Sequence, residues 1–189
     1  MVICSPRGFE WLMFHVPLQQ KRAIARRIAN NQAPTGYGWP GMRVRWCTGQ
    51  LKTHLINKEV NRLKGEKDAL NYIGIAADEV HRCKDNPHNR YPLVEWGITE
   101  AQALQICYDR GYDFGGLYKI YRRASCWCCP LQSMDELRKL RHHHPELWAH
   151  LLDMDNQARA MFGPGPLGQF KQNWSVTHLD QRFALEDME

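Results

Sequence analysis

The chain of 189 residues has no run of about 18 consecutive apolar residues, so no membrane-spanning helix is expected. Its start, "MVICSPRGFEWLMFHV", lacks the basic-then-apolar order of a signal peptide, because Pro6, Arg7 and Glu10 interrupt it. Cytoplasmic residence is therefore the expectation. There is no internal repeat and no long low-complexity segment, which excludes repeat arrays. No charge of one sign dominates: 25 Lys and Arg face 20 Asp and Glu, a net charge of +5. That excess suits an anionic ligand such as a nucleotide, and falls short of the basic patch of a dedicated DNA binder. Beyond Cys129 there is no cysteine at all.

What is present is an odd number of cysteines, seven, in a chain of ordinary composition. Without a secretion signal a disulfide framework is not expected, and metal or redox use of some thiols is the better reading. Three of them stand in "RASCWCCPLQS". Cys126 and Cys129 form C-x-x-C, a spacing that lets two thiolates reach one metal ion or one cluster face, and Pro130 turns the chain away. Two further ligands are needed. Cys47, in "RWCTGQLK", and Cys107, on the helix before the motif, are the expected ones, with Cys128 and Cys83 in reserve. A redox disulfide between Cys126 and Cys129, or plain burial of small side chains, is the competing account.

Periodicity and caps organise the rest. "LQQKRAIARRIANN" reads as a basic helix, "APTGYGWPG" as loop, and "CTGQLKTHLINKEVNRLKG" as a second helix ended by Gly65. "LNYIGIAA" (70–77) has the look of a buried strand, followed by polar loop. Thr99 with Gln102, and Ser133 with Glu136, have the spacing of capping boxes, and Pro145 suits a first helical turn. "VTHLDQRFALEDME" closes the chain as an amphipathic helix. The triple histidine His142–His144 cannot converge on one ion from a helix, since successive residues point about 100° apart, and reads as a solvated helix end. Arg43, Arg45 and Lys52 surround a helix start that favours an anion. Asp78, Glu79, His81 and Arg82 follow the expected strand, where open α/β sheets bind ligands.

"RWCTGQLK", "YIGIAADEVHR", "YPLVEWGIT" and "GGLYKIYRRASCWCCP", in this order, resemble the phosphoadenosine phosphosulfate (PAPS) reductase-like family of the adenine nucleotide α-hydrolase (PP-loop) superfamily, in its phage and mobile-element branch. The resemblance runs from about Phe9 to the C-terminus. It implies an α/β fold, a truncated Rossmann-like parallel sheet over residues 1–130 with a helical C-terminal extension over 131–189. It implies substrate-pocket roles for Lys52, Gly74, Asp78, Glu79, Arg82 and either Arg122 or Arg123, and metal ligation by Cys126 and Cys129 with Cys47 beside them. Arg45, from the basic helix start, joins the candidate substrate residues, and Cys107 stays the expected fourth ligand. The cofactor implied is a [4Fe–4S] cluster, with zinc as the alternative, and an adenine nucleotide as a further ligand.

Three departures bear on function. The family's S-G-G-x-D-S phosphate loop is absent, Ala76 stands where many relatives carry arginine, and no cysteine nucleophile follows Cys129. The expectation is nucleotide-dependent sulfur-transfer or reductase-type chemistry completed by a separate chain that supplies the phosphate loop, or a homo-oligomer covering the open sheet edge. The alternative is a non-catalytic module that binds a protein or nucleic acid, with a structural zinc or no metal. No membrane partner is expected.

Overall fold

The protein is described by a computed structural model over residues 5–65 and 67–188. In chain order it forms α1 (Phe9–Phe14), α2 (Lys21–Ala29), α3 (Trp46–Thr48), a π-helical segment (Gly49–Thr53) and α4 (His54–Lys64). There follow β1 (Asn71–Tyr72), a 3₁₀ segment (Ala77–Arg82), β2 (Asn89–Arg90), α5 (Pro92–Glu95), α6 (Glu100–Asp109), a 3₁₀ turn (Phe114–Gly116) and α7 (Leu117–Ile120). The chain ends in α8 (Met134–His143), α9 (Pro145–Phe162) and α10 (Val176–Glu186). It divides into two compact units: residues 1–56 with 125–189, and residues 57–124.

The first unit holds the hydrophobic core. Along α9, Trp148, Leu151, Met154, Asp155, Ala158 and Phe162 are buried, the spacing of one helical face. That face packs against α8 through Leu137 and Leu140, and against α10 through Leu179 and Phe183. Met13 and Phe14 of α1, with Trp39 and Phe170, fill the same cluster. Full burial of each such side chain stabilises by about 1.5–3 kcal/mol. One polar group sits inside it. Asp155, 1% exposed, accepts hydrogen bonds from Trp39 Nε1 (3.1 Å), Phe170 N (3.1 Å) and Val176 N (2.7 Å). It thereby ties the 36–41 loop, the 170 segment and the first turn of α10 to α9. Burial, the largest influence, raises its pKa above the usual carboxylate range, and the three donors pull it back.

The 36–41 loop needs its glycines. Gly36 and Gly38 have φ of +72° and +69°, and a Cβ on either would run into the carbonyl of Met13 or Leu167. Arg27 of α2 reinforces this loop from the other side. It is buried, donates to Ala33 O (3.2 Å) and Gly36 O (3.0 Å), and lies over the Phe162 ring at 4.8 Å.

The second unit overturns the expected parallel α/β sheet. Among the described residues the strands β1 and β2 are two residues each, paired in parallel as Asn71 with Asn89 and Tyr72 with Arg90. Both β1 residues are exposed. The apolar run does not continue as a strand: Ile73 N still donates to Arg90 O (2.9 Å), but Ile75 N then donates to Ile73 O (3.0 Å), a tight turn that bends the chain away. A parallel sheet needs several fully apolar strands covered on both faces, and this sequence supplies one short run. Helices take up most of the rest. Ala76 alone is buried among the described residues of this unit, while Tyr72 (72%), Trp96 (69%) and Tyr112 (63%) are exposed.

The local signals hold. Thr99 and Gln102 close a capping box on α6, Ser133 caps α8 by accepting from Glu136 N (3.2 Å), and Pro145 opens α9. Among the described residues no helix is long and apolar enough to cross a membrane.

Candidate metal centre

The C-x-x-C segment folds as two successive turns. Cys129 N donates to Cys126 O (3.1 Å) and Gln132 N donates to Cys129 O (3.2 Å). The remaining carbonyls of the loop are held by two side chains. Gln132, itself buried, gives its amide N–H to Cys126 O (2.7 Å) and Trp127 O (2.8 Å). Lys171, from the segment before α10, donates from Nζ to Pro130 O (2.7 Å) and Gln132 O (2.6 Å). With five of its carbonyls, those of Cys126, Trp127, Cys129, Pro130 and Gln132, hydrogen-bonded, the loop has a defined shape of its own.

That shape gathers thiols. Cys128 is 7% exposed and belongs to the core cluster. Its thiol is pushed up to about 12, first by burial, then by the nearby Cys126 thiol, with Cys129 and Cys47 adding to it. All four cysteines are unpaired as disulfides. Cys47 arrives from α3, where Trp46 fixes the start of the helix: its indole stacks on Phe9 with centroids 5.0 Å apart and donates to Gly38 O (3.1 Å). Cys129 also lies close enough to Lys171 to raise that ammonium's pKa, against the larger effect of burial, which lowers it.

Cys107 belongs to the second unit, half-buried on α6, as does Cys83, half-buried after the 3₁₀ segment. The sequence pattern thus leads to Cys47, Cys126 and Cys129, and the fold sets Cys128 near them. As they stand, no three His, Cys, Asp or Glu side chains among the described residues are drawn together tightly enough to hold a single ion. A tetrahedral zinc needs sulfurs about 3.8 Å apart, from Zn–S bonds of about 2.3 Å. The chemistry of the donors, four soft thiols, matches an iron–sulfur cluster or a Cys₄ zinc. Cys126 is exposed and free to adjust, and Cys128 is the fixed member.

The expected substrate residues divide between the units. In the first, Arg45 precedes α3 and Lys52 lies in the π-helical segment, both exposed. In the second, Asp78 accepts from Glu100 N (3.0 Å), supporting the start of α6, and Glu79 is ion-paired to Arg82 within the same 3₁₀ segment. Gly74 and Arg123 lie in exposed loop. Glu79 and Arg82 therefore brace their own segment, and Asp78 ties it to α6.

The triple histidine closes α8. His142 and His143 are exposed at the C-terminal end of α8, rings 4.6 Å apart and edge to face. They line a hollow of about 230 Å³ with Arg138, Lys139 and Arg141, and each of those cations is ion-paired, to Glu186, Asp135, and Asp180 with Asp187.

No protein-family model matches this chain, and no solved structure matches it. Among curated proteins, the chain is similar to the uncharacterized protein MJ0066 of Methanocaldococcus jannaschii, at 25% identity over 131 residues. The match covers 59% of this chain and 25% of that protein, so the chain spans about a quarter of its length.

Proposed function

We propose that the first unit is a cysteine-ligated metal module in which Cys47, Cys126, Cys128 and Cys129 hold an iron–sulfur cluster, within a PAPS reductase-like protein of sulfur-transfer or reductase type. What supports the reading is that Cys126, Cys129 and, from a distant segment, Cys47 all lie near enough to the buried Cys128 to act on its thiol. When bound, the cluster would supply electron transfer or hold a sulfur-bearing substrate group. The chain's own residues do the rest: Gln132 and Lys171 fix the loop, Trp46 positions Cys47, and the core around Cys128 keeps water from one side. An adenine nucleotide is the substrate class the resemblance implies. No S-G-G-x-D-S occurs within the sequence, and on this reading a separate chain supplies the phosphate loop.

A second reading has its own observation. Asp78 is engaged with the start of α6 and Glu79 with Arg82, which favours a structural role for these residues and so a non-catalytic module, with zinc as the metal in that case. Anaerobic purification followed by iron, sulfide and zinc analysis separates the two. Iron with acid-labile sulfide supports the first, stoichiometric zinc the second, and neither metal refutes both.

A further inference from the structure

The charges of the first unit are sorted along the sequence. Between residues 11 and 56 there are seven Lys and Arg and not one Asp or Glu. From 125 to 189 the balance reverses, with six Lys and Arg against nine Asp and Glu. The second set is self-neutralising: Arg138, Lys139, Arg141 and Arg182 all form ion pairs with carboxylates of their own region. In the first set Lys21, Arg22, Arg26, Arg43, Arg45 and Lys52 are exposed, and among the described residues none of them forms an ion pair. Ordinary surfaces intersperse the two signs.

Helix α2 concentrates this. Arg22 and Arg26 are four apart on one face, with Lys21 beside them and the exposed small residues Ala25 and Ala29 between. Like charges at this spacing destabilise a helix unless a counter-charge is supplied. Arg26 already depresses the pKa of Arg27, after the larger effect of burial. Most of the opposite face of α2 is spoken for: Arg27 is locked to Ala33 O, Gly36 O and the Phe162 ring, and Ile24 is partly buried, which leaves Ile28, 60% exposed, as a single apolar residue in the open. A helix that lies on a lipid surface needs that apolar face free. What α2 offers is a cationic ridge with low side chains between the charges, which suits a chain of phosphates.

We infer that α2 is a nucleic-acid-binding surface, with Lys21, Arg22 and Arg26 neutralising consecutive backbone phosphates independently of the metal centre. Sequence readout is not part of it, so single strands of RNA and DNA both bind. Fluorescence anisotropy of labelled single-stranded RNA and DNA oligonucleotides, titrated with the whole chain at about 50–200 mM salt, tests this. Each phosphate contact to a single strand contributes a slope of about 0.7 in log K against log salt. In the variant Lys21→Gln/Arg22→Gln/Arg26→Gln the slope should fall by about 2, and affinity at 0.1 M salt by about 100-fold. Circular dichroism should be unchanged, since all three side chains are exposed, and Arg159→Gln should bind as the unaltered protein does. Unchanged slope and affinity in the triple variant overturn the inference. So does absence of oligonucleotide binding, with or without binding to phosphatidylserine vesicles.

Discussion

Replacing Lys171 by methionine keeps the apolar stem and removes the ammonium that spans Pro130 O and Gln132 O. Hydrogen bonds from a charged donor contribute about 1.5–3 kcal/mol each, and two are lost at 2.7 and 2.6 Å. Burial opposes this, because it disfavours the charged form of Lys171, as its lowered pKa shows. The side chain is only half-buried, so the hydrogen bonds win and the net local loss is about 1–2 kcal/mol. That corresponds to opening of the cysteine loop about 5–30 times more often. Amide hydrogen exchange reads it directly at Cys129 and Gln132, whose N–H groups close the two turns. Both should exchange faster by that factor, while amides in the middle of α9 stay unchanged. Metal retention under chelator challenge should fall in parallel. Unchanged exchange at both positions would refute the view that Lys171 shapes the loop.

Three other outcomes follow from the same geometry. Asp155→Asn sets an amide N–H against one of three inward-pointing donors, and should destabilise the first unit by about 2–4 kcal/mol in urea unfolding at pH 7. Gly38→Ala forces a side chain into Leu167 at positive φ and should lower the melting temperature, whereas Gly41→Ala, with open space around it, should not. Glu186 is held down to about 2 by hydrogen bonds from Arg138 and Arg182. A carboxylate lowered in the folded state contributes stability above its ordinary value of 4.5, lost as pH falls toward 2. Acid titration of Glu186→Gln should therefore show a shallower loss of stability over that window, and added salt should shrink the difference, because the group is exposed.

Sequence made some of this fold legible and hid the rest, for physical reasons. Caps at Thr99, Ser133 and Pro145 depend on residues three or four apart, so they are visible in the string and present in the structure. The parallel sheet was expected from one apolar run. A sheet depends on partners far along the chain, and here the run turns back on itself after Ile73. At the candidate centre the C-x-x-C and Cys47 were singled out from spacing and context. Cys128 stood only in reserve, because nothing in the string shows that it is buried with other thiols near it. Lys171, Gln132 and Asp155 carried no signal. A lone lysine, glutamine or aspartate shows its role only once the fold brings its distant partners within hydrogen-bonding distance.

The most direct test is metal and sulfide content, with a visible spectrum, of anaerobically purified protein compared with Cys47→Ser, Cys107→Ser and Cys128→Ser. The account predicts iron and acid-labile sulfide with a broad visible absorption in the unaltered chain and in Cys107→Ser. Both should be lost or strongly reduced in Cys47→Ser and Cys128→Ser. A centre that survives loss of Cys128 and disappears with loss of Cys107, or a protein that binds no metal at all, would contradict it.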